Sequence, residues 1–155
     1  DYIDDNPMVE LLPVDYVNDP YVIARHLNFI SINAALEVDF YGQVCAESIG
    51  TRHISGTGGQ SDYVRGAVQS EGGKSFIAFA STAMDGTVSR IMPTLRPGSQ
   101  VSTSKNDVDH IVTEYGIAKL RGKTLSQRTK ALIGIAHPKF RDMLMFEAKK
   151  VNIII

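Results

Sequence analysis

Residues 28–40 read NFISINAALEVDF, and their pattern sets the architecture expected for the whole chain. Alternate positions along this segment are apolar, namely Ile30, Ile32, Ala34, Leu36 and Val38. A period of two is typical of a β-strand with one buried face. Tyr41-Gly42 then interrupts the pattern, and residues 43–47 resume a short apolar run. The sequence therefore predicts a β-hairpin over these two segments.

Beyond the hairpin, short apolar runs separated by turn residues predict further strands. They lie at residues 75–80, 88–92, 101–104 and 110–113, with proline and glycine marking turns. Between the hairpin and the first of these runs, four glycines make residues 50–60 a predicted loop.

Helical signals follow that loop and dominate the last third of the chain. Residues 63–69 are predicted to form a two-turn helix with Ser61 and Asp62 as candidate caps. A longer helix is expected after Thr124 or Ser126, and Pro138 starts another. The order of strands and helices predicts an α/β domain with a mixed sheet and C-terminal helices.

The bulk composition excludes several classes of function. The chain has 155 residues, of which 43% are hydrophobic and 21% charged, as expected for one globular domain. A formal net charge of −1 predicts neither a nucleic-acid partner nor a membrane-surface partner. Cys45 is the only cysteine, so no internal disulfide can form and a reducing, cytoplasmic location is expected. The four histidines show no metal-ligand spacing, so no metal site is predicted.

The glycine loop SGTGGQSDYVRG, residues 55–66, is the first feature that suggests chemistry. Neighbouring glycines let backbone N–H groups converge, because glycine tolerates positive φ. A helix that begins directly after them adds the partial positive charge of its N-terminus. Together they predict a site for an anion or a developing oxyanion. A plain tight turn that leads into a helix remains the alternative.

A second glycine pair lies in SEGGKS, residues 70–75, and it does not form a phosphate-binding P-loop. The P-loop spacing requires a glycine at the position of Val68. The residues after the Gly-Lys-Ser sequence must also begin a helix, whereas FIAFA predicts a strand.

Carboxylates and hydroxyls give weaker indications. Glu114 lies where a predicted strand gives way to a glycine turn, a favourable place for a site in an α/β protein. A solvated loop residue is the alternative there, and the residues alone leave Glu37 and Glu47 undecided. Ser81 has no histidine at a suitable spacing, and the G-x-S-x-G motif is absent, so a serine hydrolase is not predicted.

Six longer motifs occur in order between residues 18 and 142. They are NDPYVIARHLNFISINAALEVDFYGQVCAES, SGTGGQSDYVRGA, GGKSFIAFASTA, SRIMP, DVDHIVTEYGIAKLRGKT and IAHPKFRD. This set resembles the C-terminal domain of the acetyl-CoA hydrolase/transferase family, and most of all its branch of 4-hydroxybutyrate and butyrate/acetate CoA-transferases. The resemblance implies that residues 1–155 are the C-terminal domain of a two-domain α/β enzyme that is usually a homodimer. The chain lacks an initial methionine and ends on VNIII, which also suggests part of a longer protein.

The resemblance also implies a chemistry. In this family a glutamate attacks acyl-CoA, passes through an anhydride and becomes a glutamyl-CoA thioester, from which an incoming carboxylate takes the CoA. Coenzyme A is thus a substrate, and no permanently bound cofactor is expected. The family's nucleophile precedes this domain by several tens of residues, so Glu10, Glu37 and Glu47 are not assigned that role.

Particular positions inherit roles from the resemblance. Asn18 matches a carboxamide that helps to hold the substrate oxyanion, and Glu114 matches a glutamate that orients the nucleophile. The other matches are expected to contact the oxyanion or CoA: Leu36, Gly58, Gly59 and Met84. Relatives can place a lysine at the turn that holds Met84, so this chain departs from the family there. Two alternatives stay open, an acyl-CoA hydrolase and a non-catalytic CoA-binding module.

Overall fold

The chain folds around a four-stranded sheet with helices packed on one face, in a computed structural model that describes residues 2–155. The helices are α1 (Val14–Val17), α2 (Pro20–Ala24), α3 (Gln60–Gln69), α4 (Leu125–Gly134) and α5 (Pro138–Lys150). The strands are β1 (Ile30–Asn33), β2 (Glu37–Asp39), β3 (Val44–Cys45), β4 (Ser48–Ile49), β5 (Arg52–His53), β6 (Lys74–Ala78), β7 (Thr82–Ala83), β8 (Val88–Ser89), β9 (Ile91–Met92), β10 (His110–Thr113) and β11 (Gly116–Lys119). The predicted α/β class with a mixed sheet and C-terminal helices is confirmed.

The main sheet has the order β1-β6-β10-β11. Strands β1, β6 and β10 are parallel, whereas β11 returns antiparallel to β10. Their carboxyl ends therefore meet at one edge, which is where α/β proteins usually bind ligands. A second small sheet has the order β3-β2-β9.

The prediction of one strand over residues 28–40 is wrong, although the hairpin is confirmed. The segment divides into β1 and β2, which belong to different sheets. Strands β2 and β3 pair antiparallel, Val38 opposite Val44, around a turn in which Gly42 has φ of 86°. In β1 the burial is the reverse of the expected pattern, because Ser31 is 4% exposed and Ile32 is 70% exposed.

The helix after the glycine loop begins earlier than predicted. Gly59 is its N-cap and Gln60 its first residue, so Ser61 lies inside the first turn and is not a cap. The segment 101–104 forms no strand, because within it only Thr103 makes a bridge, to Val44. The sequence did not predict α1, α2 or β11, and it assigned β5 to a loop.

One hydrophobic cluster joins the sheet to the helices. Val64 of α3, Leu132 of α4 and Leu144 of α5 pack with Ile77 and Ile111 from the centre of the sheet. Residues such as these bury the apolar area that drives folding.

Both C-terminal helices begin at predicted residues. Thr124 and Gln127 form a reciprocal capping box at the start of α4. Pro138 is the first residue of α5, and the Nδ1 atom of His137 accepts the N–H of Lys139. None of the helices within residues 2–155 is long and apolar enough to span a bilayer.

Candidate active site

The glycine loop is fixed at both ends by hydrogen bonds to distant parts of the chain. The hydroxyl of Thr57 donates to Glu47 Oε2 at 2.9 Å, and Ser102 Oγ donates to the other oxygen at 3.1 Å. After the loop, Gln60 Nε2 donates to Thr103 Oγ1 at 3.0 Å. These bonds hold the backbone of Gly58 and Gly59 in a defined position.

Gly58 and Gly59 form the entry to helix α3. Gly58 has φ of 56°, a conformation that side-chain-bearing residues rarely adopt. The carbonyl of Gly59 accepts the first intrahelical bond, from the N–H of Tyr63 at 3.0 Å. The N–H groups of the first helical turn have no carbonyl four residues earlier within the helix, so they present donors and partial positive charge. No side chain caps this end of α3 in the described chain.

The side-chain amide of Asn18 packs against Gly59. A Cβ atom at position 59 would collide with Asn18 Nδ2 and would lie only 3.3 Å from the Tyr63 ring. The position thus has to be glycine if the Asn18 amide is to stay where it is. Asn18 itself is the C-cap residue of α1, and its N–H donates to the carbonyl of Val14 at 2.9 Å.

Two cavities flank this glycine pair. The larger, about 700 Å³, is lined by Asn18, Gly58, Gly59 and three aspartates, of which Asp62 belongs to α3. The smaller, about 320 Å³, has an uncharged lining that includes Leu36 and residues 55–60. The carboxylates of the larger cavity repel anionic groups, whereas the smaller cavity presents no charge.

Leu36 reaches the smaller cavity as the chain crosses from β1 to β2. Its N–H already donates to the carbonyl of Cys45 at 2.8 Å. The main-chain contact to CoA that is expected of Leu36 stays a prediction, and the Leu36 N–H is not available for it. Ala46 and Gly58 line the same cavity, so the structure brings Leu36 and the glycine loop together.

Glu114 is held by a single buried residue, Ser81. The Ser81 hydroxyl donates to Glu114 Oε1 at 2.6 Å, and the Ser81 N–H donates to Oε2 at 2.8 Å. The hydroxyl bond is the largest of the effects that lower the pKa of Glu114, and a charge interaction with His137 adds to it. Glu114 is therefore an anion at neutral pH with a fixed orientation.

The predicted residues fall into three groups in space. Asn18, Gly58, Gly59 and Leu36 border adjoining cavities. Glu114 follows β10 at the same sheet edge where residues 33–36 follow β1, and with β6 between them the two strand ends are about 10 Å apart. Glu114 lines neither of the two cavities.

Met84 stands apart from these residues. It is 74% exposed and has φ of 51°, in the turn between β7 and β8. A CoA contact there stays a prediction.

Sequence reasoning missed the supporting residues. Ser81 pairs with a residue 33 positions away, and Thr57 pairs with Glu47, so neither interaction has a local signal. Glu37, left undecided from the sequence, is a structural residue: it is buried, accepts from Ser99 Oγ at 2.6 Å and pairs with Arg96. Within residues 2–155 there is no cluster of three or more His, Cys, Asp or Glu side chains suited to a metal ion.

Comparison with known proteins identifies the family of this chain. Residues 1–148 match the sequence profile described as the acetyl-CoA hydrolase/transferase C-terminal domain. The chain belongs to that family.

Individual relatives agree with the profile. The chain is 59% identical over 150 residues to the 4-hydroxybutyrate coenzyme A transferase of Clostridium kluyveri, across 97% of the chain and 35% of that protein. It is 51% identical to the butyryl-CoA:acetate CoA-transferase of Anaerostipes caccae, across 99% of the chain and 35% of that protein.

The solved structures include RipA from Yersinia pestis, with a TM-score of 0.92 and 46% identity. That match covers 99% of this chain and 34% of RipA. The chain thus spans about a third of the length of its relatives, and it corresponds to one domain of them.

Proposed function

We propose that the full-length protein transfers coenzyme A between a short-chain acyl-CoA and a carboxylic acid, and that this chain supplies its oxyanion and CoA contacts. The observation that carries the proposal is the Asn18 amide packed on Gly59 at the start of α3. Asn18 and Gly59 both border the larger cavity, and Gly59 also borders the smaller cavity, whose lining is uncharged.

The proposed reaction moves CoA without redox change or net proton transfer. A glutamate carboxylate attacks the thioester carbonyl. The CoA thiolate is expelled, and a mixed anhydride of the acyl group and the glutamate remains. The thiolate attacks the glutamyl carbonyl, which releases the first carboxylate and leaves a glutamyl-CoA thioester. An acceptor carboxylate attacks that thioester, the thiolate leaves again, and its attack on the new acyl group regenerates the glutamate.

Each step that adds a nucleophile to a carbonyl puts negative charge on one oxygen. We assign Asn18 Nδ2 and the Gly59 N–H as donors to that oxygen, since preorganised donors stabilise it without adding charge. Gly58 is assigned the backbone conformation with positive φ that the loop needs beside CoA. The Leu36 carbonyl is assigned a contact to the pantetheine arm of CoA. Met84 is assigned an outer CoA contact.

Glu114 is assigned to orient the nucleophilic glutamate. The ionised Glu114 carboxylate repels a second carboxylate and would raise the pKa of the nucleophilic glutamate if the two were in contact. We therefore expect a hydrogen-bond donor or the substrate carbonyl group to lie between them. Ser81 fixes the direction in which Glu114 presents its charge. The nucleophile itself is placed in the preceding part of the full-length protein.

The test is covalent labelling of the full-length protein. After incubation with butyryl-CoA, intact-mass analysis should find a CoA-sized adduct, and peptide mapping should place it on a glutamate upstream of Asp1. Addition of acetate should discharge the adduct as acetyl-CoA. An active enzyme that never accumulates such an adduct would contradict the mechanism.

Thiol release and CoA binding, measured with and without acetate, separate the alternatives. Thiol release that does not depend on acetate indicates an acyl-CoA hydrolase, in which water replaces the acceptor acid. Binding of CoA without turnover indicates a non-catalytic module. We also propose a cytoplasmic homodimer, which gel filtration with light scattering can test.

A further inference from the structure

A third cavity, of about 50 Å³, adjoins the smaller cavity beside the glycine loop. The two cavities share Leu36 as a lining residue. The third cavity also borders Ala83, the residue directly before Met84. Its charged lining residues are Glu37, Arg90 and Arg96. It therefore touches both Leu36 and the Met84 turn, where the proposed function puts the pantetheine arm and an outer contact of CoA.

The charges of the third cavity do not cancel. Arg96 is paired with Glu37, because its Nε atom lies 3.5 Å from Glu37 Oε2 and its N–H donates to Glu37 Oε1 at 3.1 Å. Within residues 2–155 no side-chain carboxylate oxygen lies within 4 Å of the Arg90 guanidinium. The cavity thus carries an excess positive charge, and that charge belongs to Arg90.

The Arg90 side chain is also short of hydrogen-bond partners. A guanidinium presents several N–H donors in a planar fork. In the part of the chain that the structure describes, the Arg90 guanidinium makes a single long hydrogen bond, from Nη1 to the carbonyl of Ala35 at 3.4 Å. Arg90 is partly buried, so a cation is withdrawn from water without an anion beside it. Its free donors match the geometry of a phosphate group.

The backbone of Arg90 is fixed on both sides. Its N–H donates to the carbonyl of Ser81 at 2.9 Å, and its carbonyl accepts the N–H of Val38 at 2.9 Å. Position 90 is thereby joined to the serine that holds Glu114 and to β2, which follows Leu36. Neither bond involves the side chain, so a substitution at position 90 leaves both in place.

We propose that Arg90 binds a phosphate group of coenzyme A. The inference rests on the proposed function, which places CoA along Leu36 and the Met84 turn. That turn offers no cation, because Met84 is uncharged and Asp85 is an anion that repels phosphate. Gly59, Leu36 and Arg90 then contact the thioester, the pantetheine arm and the phosphate in the order in which these groups occur along CoA.

Steady-state kinetics of the full-length protein test the proposal. We would compare Arg90→Met, which removes the charge, with Arg90→Lys, which keeps it. Arg121→Met is the matched control, since Arg121 is exposed in a turn and lines none of the three cavities. Arg90→Met should raise KM for butyryl-CoA by about tenfold or more with little change in kcat, as expected for loss of a charge-assisted contact to a part of the substrate that does not react. Arg90→Lys should recover most of this loss, and the control should be unchanged.

A truncated substrate provides the decisive comparison. S-butyryl-pantetheine carries the thioester and the pantetheine arm but no phosphate, so Arg90→Met should use it as well as the unsubstituted protein does. An equal loss on both substrates would show that Arg90 acts by supporting the backbone at Ala35, and would overturn the proposal. A rise confined to KM for acetate would assign Arg90 to the acceptor carboxylate and would overturn it too.

Calorimetric titration with CoA alone separates this inference from the proposed reaction, because it needs no turnover. Arg90→Met should weaken the Kd for CoA by about tenfold, and the difference should shrink at high salt. Equal affinity of the unsubstituted protein and Arg90→Met would overturn the role of Arg90 and leave the proposed function standing. A full-length protein that binds no CoA would overturn both.

Discussion

The glycine loop and the Glu114 pair lie at the same edge of the sheet, but they fix their functional groups by different means. At the loop, the proposed functional atoms are neutral donors, and their arrangement requires that position 59 carries no Cβ atom. At the pair, the proposed functional group is the charged Glu114 carboxylate, which one hydroxyl and one N–H of Ser81 hold in place.

The comparison predicts that activity responds differently to substitutions in the two regions. At the glycine loop the Asn18 amide lies close to Gly59, so this region is sensitive to side-chain volume, because an added atom has no space to occupy. A region built on a charge and its donors is sensitive to hydrogen bonding, and therefore to pH. Four substitutions in the full-length protein test this difference, in order of decreasing expected effect.

Gly59→Ala should have the largest effect on activity. The new Cβ would displace the Asn18 amide and crowd Tyr63, so both oxyanion donors would move. We expect kcat to fall by at least about 10³-fold, since loss of even one such donor typically costs about 10² to 10³. Steady-state transfer of CoA from butyryl-CoA to acetate is the measurement.

The matched control is Gly134→Ala. Gly134 ends α4, and a Cβ there meets nothing within 4 Å. Activity should be unchanged, and the helix should gain slightly because alanine favours helix more than glycine. Equal activity of the two variants would remove Gly59 from the site.

Asn18→Ala should have the next largest effect, because it removes one donor and leaves the glycine loop in place. We expect kcat to fall by about 10²-fold with a smaller change in KM, since the bond is made to the transition state. Asn106→Ala is the control, as Asn106 is an exposed turn residue outside both cavities. A change confined to KM would instead indicate that Asn18 binds substrate and transition state alike.

The two regions also differ in how far the sequence predicts them. The glycine loop is a local motif, so its residues and the helix after it are visible in twelve consecutive letters. Its exact cap was missed because Ser61 is a better cap by type than Gly59, and tertiary bonds from Gln60 and Ser61 override that preference. Asn18 could be assigned only by resemblance.

The fold shows the same division between local and distant information. The first residues of α4 and α5 and the turn at Gly42 depend on neighbouring residues, and they were predicted. The division of residues 28–40 into two sheets was not, because β1 pairs with β6 about 44 residues away. The alternation in β1 was also misleading, because the apolar Ile30 and Ile32 are exposed and Ser31 is buried.

Ser81→Ala tests the charged region and should have a moderate effect. It removes the hydroxyl that donates to Glu114 Oε1 and keeps the N–H bond to Oε2. Hydrogen bonds to charged groups contribute about 1.5–3 kcal/mol, and because Glu114 is exposed to solvent the lower end applies, so kcat/KM should fall by about tenfold. A pH profile of kcat/KM distinguishes this role from a general loss of structure.

The sign of the pH effect follows from the Ser81 hydrogen bond. In the native protein the pKa of Glu114 lies below its ordinary value of 4.5, so the anion persists to lower pH than in an unfolded chain. The stabilisation is present above pH 4.5 and is lost as the pH falls through the lowered pKa. Without the Ser81 hydroxyl the pKa of Glu114 rises, and the acid limb of the profile should move to higher pH. An unmoved acid limb in a folded variant would contradict the assignment.

Ser75→Ala should have the smallest effect and completes the comparison, because Ser75 is also a buried serine near β6. Within residues 2–155 the Ser75 hydroxyl has no hydrogen-bond partner, whereas the Ser81 hydroxyl donates a hydrogen bond of 2.6 Å. A buried hydroxyl without a partner is destabilising, so its removal should leave activity unchanged and raise the free energy of unfolding by up to about 1 kcal/mol. Urea denaturation is the measurement. If Ser75→Ala and Ser81→Ala lowered activity equally, the effect would belong to packing around β6, and the special role of the Ser81 hydroxyl at Glu114 would be lost.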